Sequence, residues 1–110
     1  MKALLLSLAF FVGQMITMQA KPVVHLKPHK DGVEAAFGGS ILELQNAPPI
    51  LHLPQYPPKP DSQGTQWAVD IKNFGPHAVT IVDNGHFTTT ISLNQTVHIY
   101  SNGTAYFLQR

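Results

Sequence analysis

Between residues 67 and 108, apolar and polar residues alternate with a period of two, in short runs broken by turn residues. The stretch reads WAVDIKNFGPHAVTIVDNGHFTTTISLNQTVHIYSNGTAYFL. A period of two sends successive side chains to opposite faces of a strand, so each run reads as half-buried β-structure. Trp67, Val69 and Ile71 share one face, with Ala68, Asp70 and Lys72 on the other. The break at NFGPH, where Gly75 gives backbone freedom and Pro76 fixes φ, is expected to reverse the chain and pair Ile71 with Val79. Asn84-Gly85 is a strong hairpin signal, because both residues tolerate positive φ. Strict two-residue pairing there sets Val82 by Phe87 but Ile81 by Thr88, which puts the apolar faces out of phase by one residue. A β-bulge near Val82 and Phe87 is expected to correct this.

The next run alternates Phe87, Thr89, Ile91 and Leu93 against Thr88, Thr90 and Ser92. A turn through Leu93, Asn94 and Gln95 would set Ile91 by Val97. A last hairpin on Asn102-Gly103 would pair Ile99 with Tyr106 and Val97 with Leu108. The expectation is a five-strand antiparallel meander. Its apolar face comprises Trp67, Val69, Ile71, Val79, Ile81, Ile91, Val97, Ile99, Tyr106 and Leu108. Burial is worth roughly 25 cal/mol per Å² of apolar surface, so this face must be covered. The cover is the N-terminal strands, the sheet closed on itself, or a second copy of the chain. The favoured architecture is all-β: a small antiparallel β-sandwich in which residues before Pro48 supply the second layer. A homo-oligomer through the apolar face is the alternative way to close it.

The chain has 110 residues, enough for one domain and too few for two independent cores. Residues 1–20 have the layout of a secretory signal: Lys2 at the start, an apolar run from Ala3 to Val12, and the small residue Ala20 at the cut. The apolar run is about half of the roughly 20 residues needed to span a bilayer. A cleaved signal is therefore favoured over an anchor, with no stable membrane span in the mature chain and a periplasmic or extracellular location. There is no cysteine, which excludes a disulfide framework and a thiol nucleophile. Without Lys2, six basic residues face six acidic ones, scattered along the chain. That balance leaves no electrostatic footprint for nucleic acid.

Residues 21–63 are proline-rich, and 64–110 hold the meander, so one domain is expected that includes part of 21–47. Short strands are expected at 23–26, 33–37 and 41–44. Gly38-Gly39 would close a hairpin that pairs Ala36 with Ile41 and Val33 with Leu44. That register opposes Glu34 and Glu43, which is unfavourable, and a short helical turn is the alternative. The run PPILHLPQYPPKP, residues 48–60, is expected to be extended, outside any sheet, and to strap the β-unit.

Two partial resemblances emerge, together covering less than half the chain. The segment WAVDIKNFGPHAVTIV, through Asn73, Gly75 and Pro76, resembles the start of bacterial cell-surface Ig-like repeats of the cell-adhesion-related type. The ending LNQTVHIYSNGTAYFL is similar to terminal hairpins of phage-tail and surface β-proteins, with Tyr106 where Trp is commoner. The first resemblance implies an Ig-like sandwich with an adhesive or spacer role and carries over no catalytic residue.

Histidine is the unusual component. His25 and His29 have a spacing that suits a shared metal on a helix, but Pro28 between them opposes helix. Asp83 and His86 flank the Asn84-Gly85 turn, where a local hydrogen bond is a simpler role than a catalytic pair. His98, beside Tyr100 and across from Phe107, forms an aromatic, titratable patch on the non-core face, favoured as the second face of a sandwich, with a recognition patch for a sugar or protein partner as the functional alternative. No nucleophile elbow, HExxH or phosphate-binding glycine loop occurs. The expected function is that of an exported, non-enzymatic binding, adhesive or structural module without a cofactor. A histidine-dependent metal- or small-ligand-binding periplasmic protein is the first alternative, and a small secreted hydrolase or inhibitor the second.

Overall fold

A computed structural model describes residues 21–83 and 85–109. The expected signal segment 1–20 and Asn84 lie outside the described residues, as does Arg110. Eight strands follow one another among the described residues: β1 Val23–Leu26, β2 Ile41–Leu44, β3 Ile50–His52, β4 Trp67–Asn73, β5 Val79–Val82, β6 Thr88–Ile91, β7 Thr96–Ser101 and β8 Tyr106–Gln109. They form a five-stranded sheet of order β1-β2-β4-β7-β8 and a three-stranded sheet of order β3-β5-β6. Both are mixed: β1, β2 and β4 run parallel, as do β3 and β5, while the remaining pairs are antiparallel. The fold is all-β, with one hydrophobic core drawn from both sheets.

The core contains the residues that the two-residue period assigns to it. Val69, Ile71, Val79, Ile81, Ile91, Val97, Ile99 and Tyr106 are buried, and Trp67 and Leu108 pack partly buried against them. β1 and β2 add Leu26, Leu42 and Leu44, and the proline-rich segment adds Leu51 and Leu53. The apolar face that a lone meander would leave open is thus covered within a single chain.

The meander itself is not formed. β4 pairs with β7, Ile71 opposite Val97, and not with β5. Val79 pairs with Ile91 in the other sheet, so Ile71 does not meet Val79 and Ile91 does not meet Val97. A meander would place all five apolar stripes on one open face. Dividing the strands between two sheets lets those stripes cover each other.

The expected hairpin at Gly38-Gly39 is also absent. Ala35–Phe37 is a 3-10 turn, and β2 lies between β1 and β4 in parallel register. Electrostatics explains the choice. An antiparallel hairpin would oppose Glu34 and Glu43, whereas the observed arrangement sets Glu34 3.3 Å from Lys30 and Glu43 3.0 Å from His25. Gly38 is needed for space: a Cβ there would lie 2.5 Å from the Trp67 ring, whose Nε1–H donates to the Ala35 carbonyl at 2.8 Å.

The proline run departs from expectation at its start, where Ile50–His52 becomes β3 beside β5. The three residues between Pro49 and Leu53 are not proline and so have N–H groups to donate, that of His52 reaching Asp31 O at 2.7 Å, and alternate side chains place Leu51 in the core. The remainder is a strap. Tyr106 Oη–H donates to the Pro54 carbonyl at 2.6 Å, and Ser101 Oγ–H to the Pro58 carbonyl at 2.7 Å. Burial, followed by the negative charge of Asp83, pushes the Tyr106 phenol up to about 12, so it remains a donor.

Two hairpins form with altered registers. Around Gly85, Asp83 N–H donates to Phe87 O at 3.2 Å, and Ile81 faces Thr89. The extra residue expected as a bulge therefore enters the loop. Asp83 Oδ1 accepts from the backbone N–H groups of His86 and Phe87, at 2.9 and 2.7 Å. The last hairpin pairs Ile99 with Leu108, two residues along from the expected Tyr106. Its turn is Gly103-Thr104, because Asn102 Oδ1 accepts from the Thr104 and Ala105 N–H groups. The first shift is of one residue and brings the apolar faces into phase, whereas the second is of two and leaves the buried face unchanged.

Asn73 sits where β4 leaves the five-stranded sheet, and it is fully buried. Its Nδ2 donates to the carbonyls of His77, at 2.9 Å, and Ile91, at 3.2 Å. Its Oδ1 accepts from Gly75 N–H at 2.9 Å. Its backbone N–H donates to Gln95 O, and its carbonyl accepts from Asn94 N–H. Gly75, at φ +95° and followed by a cis peptide to Pro76, sends the chain across to β5. One side chain therefore ties the outward crossover, β4 to β5, to β6, whose chain returns to β7. Replacing Asn73 by alanine strands three polar groups, two of them buried, and should lower unfolding free energy by about 3 kcal/mol. Urea denaturation will measure this, and a loss below about 1 kcal/mol would show that the corner holds without the amide.

Candidate functional site

The outer face of the five-stranded sheet carries the polar half of the alternating pattern. One row crosses all five strands: Val23, Ile41, Asp70, His98 and Gln109 are successive cross-strand partners. The next rows are His25, Glu43, Lys72 and Thr96 on one side, and Ala68, Tyr100 and Phe107 on the other.

Asp70 is the centre of the first row and only 9% exposed. Lys21 Nζ donates to its Oδ2 at 2.8 Å, and His98 Nδ1 forms a short contact with its Oδ1. Burial pushes the Asp70 carboxyl up. The hydrogen bonds and positive charge of Lys21 and His98 outweigh that and hold it below its ordinary value. The bond to Asp70 orients the half-exposed imidazole.

Tyr100 and Phe107 stack with ring centroids 5.2 Å apart and planes 21° from parallel. Phe107 is 38% exposed, so the pair forms an aromatic surface beside the imidazole. The structure therefore brings His98, Tyr100 and Phe107 onto one face, with one correction: Phe107 opposes Tyr100, and His98 opposes Gln109. The two-residue slip of the terminal hairpin accounts for this.

An open cleft of about 720 Å³ adjoins the aromatic pair, lined by Thr65, Gln66, Ala68, Tyr100, Leu108 and Gln109. The Thr65 backbone is held in place: its N–H donates to Asp61 Oδ1 at 2.9 Å, and its carbonyl accepts from Asp61 N–H at 3.0 Å.

The other sequence candidates lie elsewhere. His25 Nδ1 is 3.0 Å from Glu43 Oε1, at a cleft of about 540 Å³ that also includes Leu26, Lys27 and Phe74. His29 lies in the following loop with φ +72°. Among the described residues no group of three or more His, Asp or Glu side chains could hold a metal ion. Gly75, Pro76, Gly85, Asn102 and Gly103 all occupy turns or corners. Asp83 bonds the backbone of His86 instead of its ring.

Asp70, Lys21, Gln66 and Gln109 are additions that the sequence reading does not single out. Alternation puts Asp70 on the outer face, where it lies opposite His98. Its tie to His98 depends on β4 pairing with β7, and alternation alone does not identify a strand's neighbour.

The Asp70 ties have a pH signature. Its carboxylate is stabilised in the folded state, so its contribution is present above 3.8, its ordinary value, and is lost as pH falls through the lowered folded value. Asp70→Asn should cost about 1 kcal/mol near neutral pH, discounted because both cations are half-exposed. The difference from wild type should shrink below pH 3.8 in denaturation series. A difference that stays constant with pH would contradict the ion-pair assignment.

No protein-family model matches the chain, and no curated protein or solved structure is significantly similar to it.

Proposed function

We propose that the chain is an exported, non-enzymatic β-module of Ig-like sandwich type, acting by binding or adhesion at the cell surface or in the periplasm. The working surface is the outer face of the five-stranded sheet, centred on His98, Tyr100 and Phe107. The observation that carries this reading is the stacked Tyr100–Phe107 pair. It stands on the face opposite the core, beside an imidazole that Asp70 orients. Aromatic side chains with one apolar face and one polar handle suit recognition surfaces, because they supply contact area at small entropic cost. The secretory layout of residues 1–20 supports export, and the lack of cysteine is compatible with an oxidising compartment.

A double variant, Tyr100→Ala with Phe107→Ala, separates display from structure. Tagged wild-type protein expressed in an exporting host is expected outside the cytoplasm, starting at Lys21 and retained on the cell envelope. The variant is expected to keep its far-UV circular dichroism and melting temperature while being released into the medium. Undiminished retention of the variant, or collapse of its fold, contradicts the proposed surface. Wild-type protein confined to the cytoplasm contradicts export.

A further inference from the structure

The cleft beside Tyr100 has a lining that selects among ligands. Its six residues are Thr65, Gln66, Ala68, Tyr100, Leu108 and Gln109, and none carries a formal charge. Its volume of about 720 Å³ is within the range that small ligands fill. A charged ligand entering this cleft would shed water and meet no countercharge from the lining. An uncharged ligand with many hydroxyls meets a better match. The amides of Gln66 and Gln109 each donate and accept, and the hydroxyls of Thr65 and Tyr100 do the same. A sugar hydroxyl also needs both roles filled. The Tyr100 ring, braced by Phe107 at 5.2 Å, and the Ala68 methyl group supply an apolar wall for the C–H face of a pyranose.

The site is held from two directions. Tyr100 and Ala68 are cross-strand partners in the centre of the sheet. Thr65 is anchored by Asp61, and the start of β4 by the Trp67 Nε1–H bond to Ala35 O. Ordering such a cleft on binding requires little further loss of backbone freedom.

From these observations we infer that the cleft binds a neutral carbohydrate chain. Tyr100 forms the stacking wall, and Gln66 and Gln109 are the hydroxyl-reading amides. The inference rests on the proposed working surface and names its ligand class.

The test is a titration of the ¹⁵N-labelled protein, followed by amide chemical shifts. The probes are two neutral oligosaccharides, cellotetraose and chitotetraose, with tetragalacturonic acid as the charged comparison. The expected result is saturable shifts at Thr65, Gln66, Ala68, Tyr100 and Gln109 with at least one neutral probe and weaker binding of the acid. Gln66→Ala and Gln109→Ala, both on exposed side chains, should each weaken binding about tenfold without changing the rest of the spectrum. Tyr100→Ala should abolish it, whereas Tyr100→Phe should retain most of it.

Neutral probes that leave these amides unmoved at millimolar concentration would overturn the carbohydrate assignment. So would binding that survives Tyr100→Ala. Envelope retention is read separately. If it is lost in the Tyr100→Ala, Phe107→Ala variant while the neutral probes fail, the surface still binds, but its ligand is of another class, such as a protein.

Discussion

Asn73 is the point on which the two sheets depend. A buried amide in an apolar interior is costly unless every donor and acceptor is paired. Here the side chain and backbone of one residue bond Gly75, His77, Ile91, Asn94 and Gln95. Those partners occupy two of the four places where the chain passes between sheets, the corner after β4 and the turn before β7. The same corner reaches back to the end of β2, through Phe74 N–H to Leu44 O and Asn46 N–H to Gly75 O. The crossover geometry is thus specified by a dense polar knot, and the apolar stripes then close on each other around it.

The knot determines which face of the five-stranded sheet is available. With β5 and β6 taken into the second sheet, the Val69, Ile71, Val97 and Ile99 side is sealed in the core. The opposite side displays Asp70, His98, Tyr100 and Phe107. Placing β7 directly beside β4 creates the Asp70–His98 contact and the Ala68–Tyr100 neighbour pair. The proline strap contributes at the sheet's end, where Tyr106 and Ser101 bond its carbonyls and Trp67 meets Tyr106 edge-on at 6.0 Å. The inward aromatics hold the layers together, and the outward ones form the proposed binding surface.

What could be read in the sequence was the face of each residue. Strand alternation assigned Ile71, Ile81, Ile91 and Ile99 to the core and His98 and Tyr100 to the outer face, and all of them lie there. Alternation is a local property, fixed by the pleat. Which strand lies beside which is a long-range property, and the turn residues left it open. NFGPH has the composition of a reversal, yet buried Asn73 turns it into a corner between sheets. Parallel pairing of β1, β2 and β4 was likewise hidden, because its connections pass through the proline-rich segment and the second sheet. The repulsion between Glu34 and Glu43 in the expected hairpin was the one local signal against it. The outer patch was legible as a set of residues, whereas Asp70, Gln66 and Gln109 joined it only once β4 was placed beside β7 and the register of the β7–β8 hairpin was set.

The central claim is that the strands from Trp67 onward are shared between two sheets. Backbone nuclear Overhauser contacts test it most directly. Antiparallel contacts between β4 and β7, across Val69–Ile99 and Ile71–Val97, are the predicted result, together with parallel contacts between Leu42 and Ile71. Antiparallel backbone contacts between Ile71 and Val79, with none between β4 and β7, would restore the single meander and contradict the account.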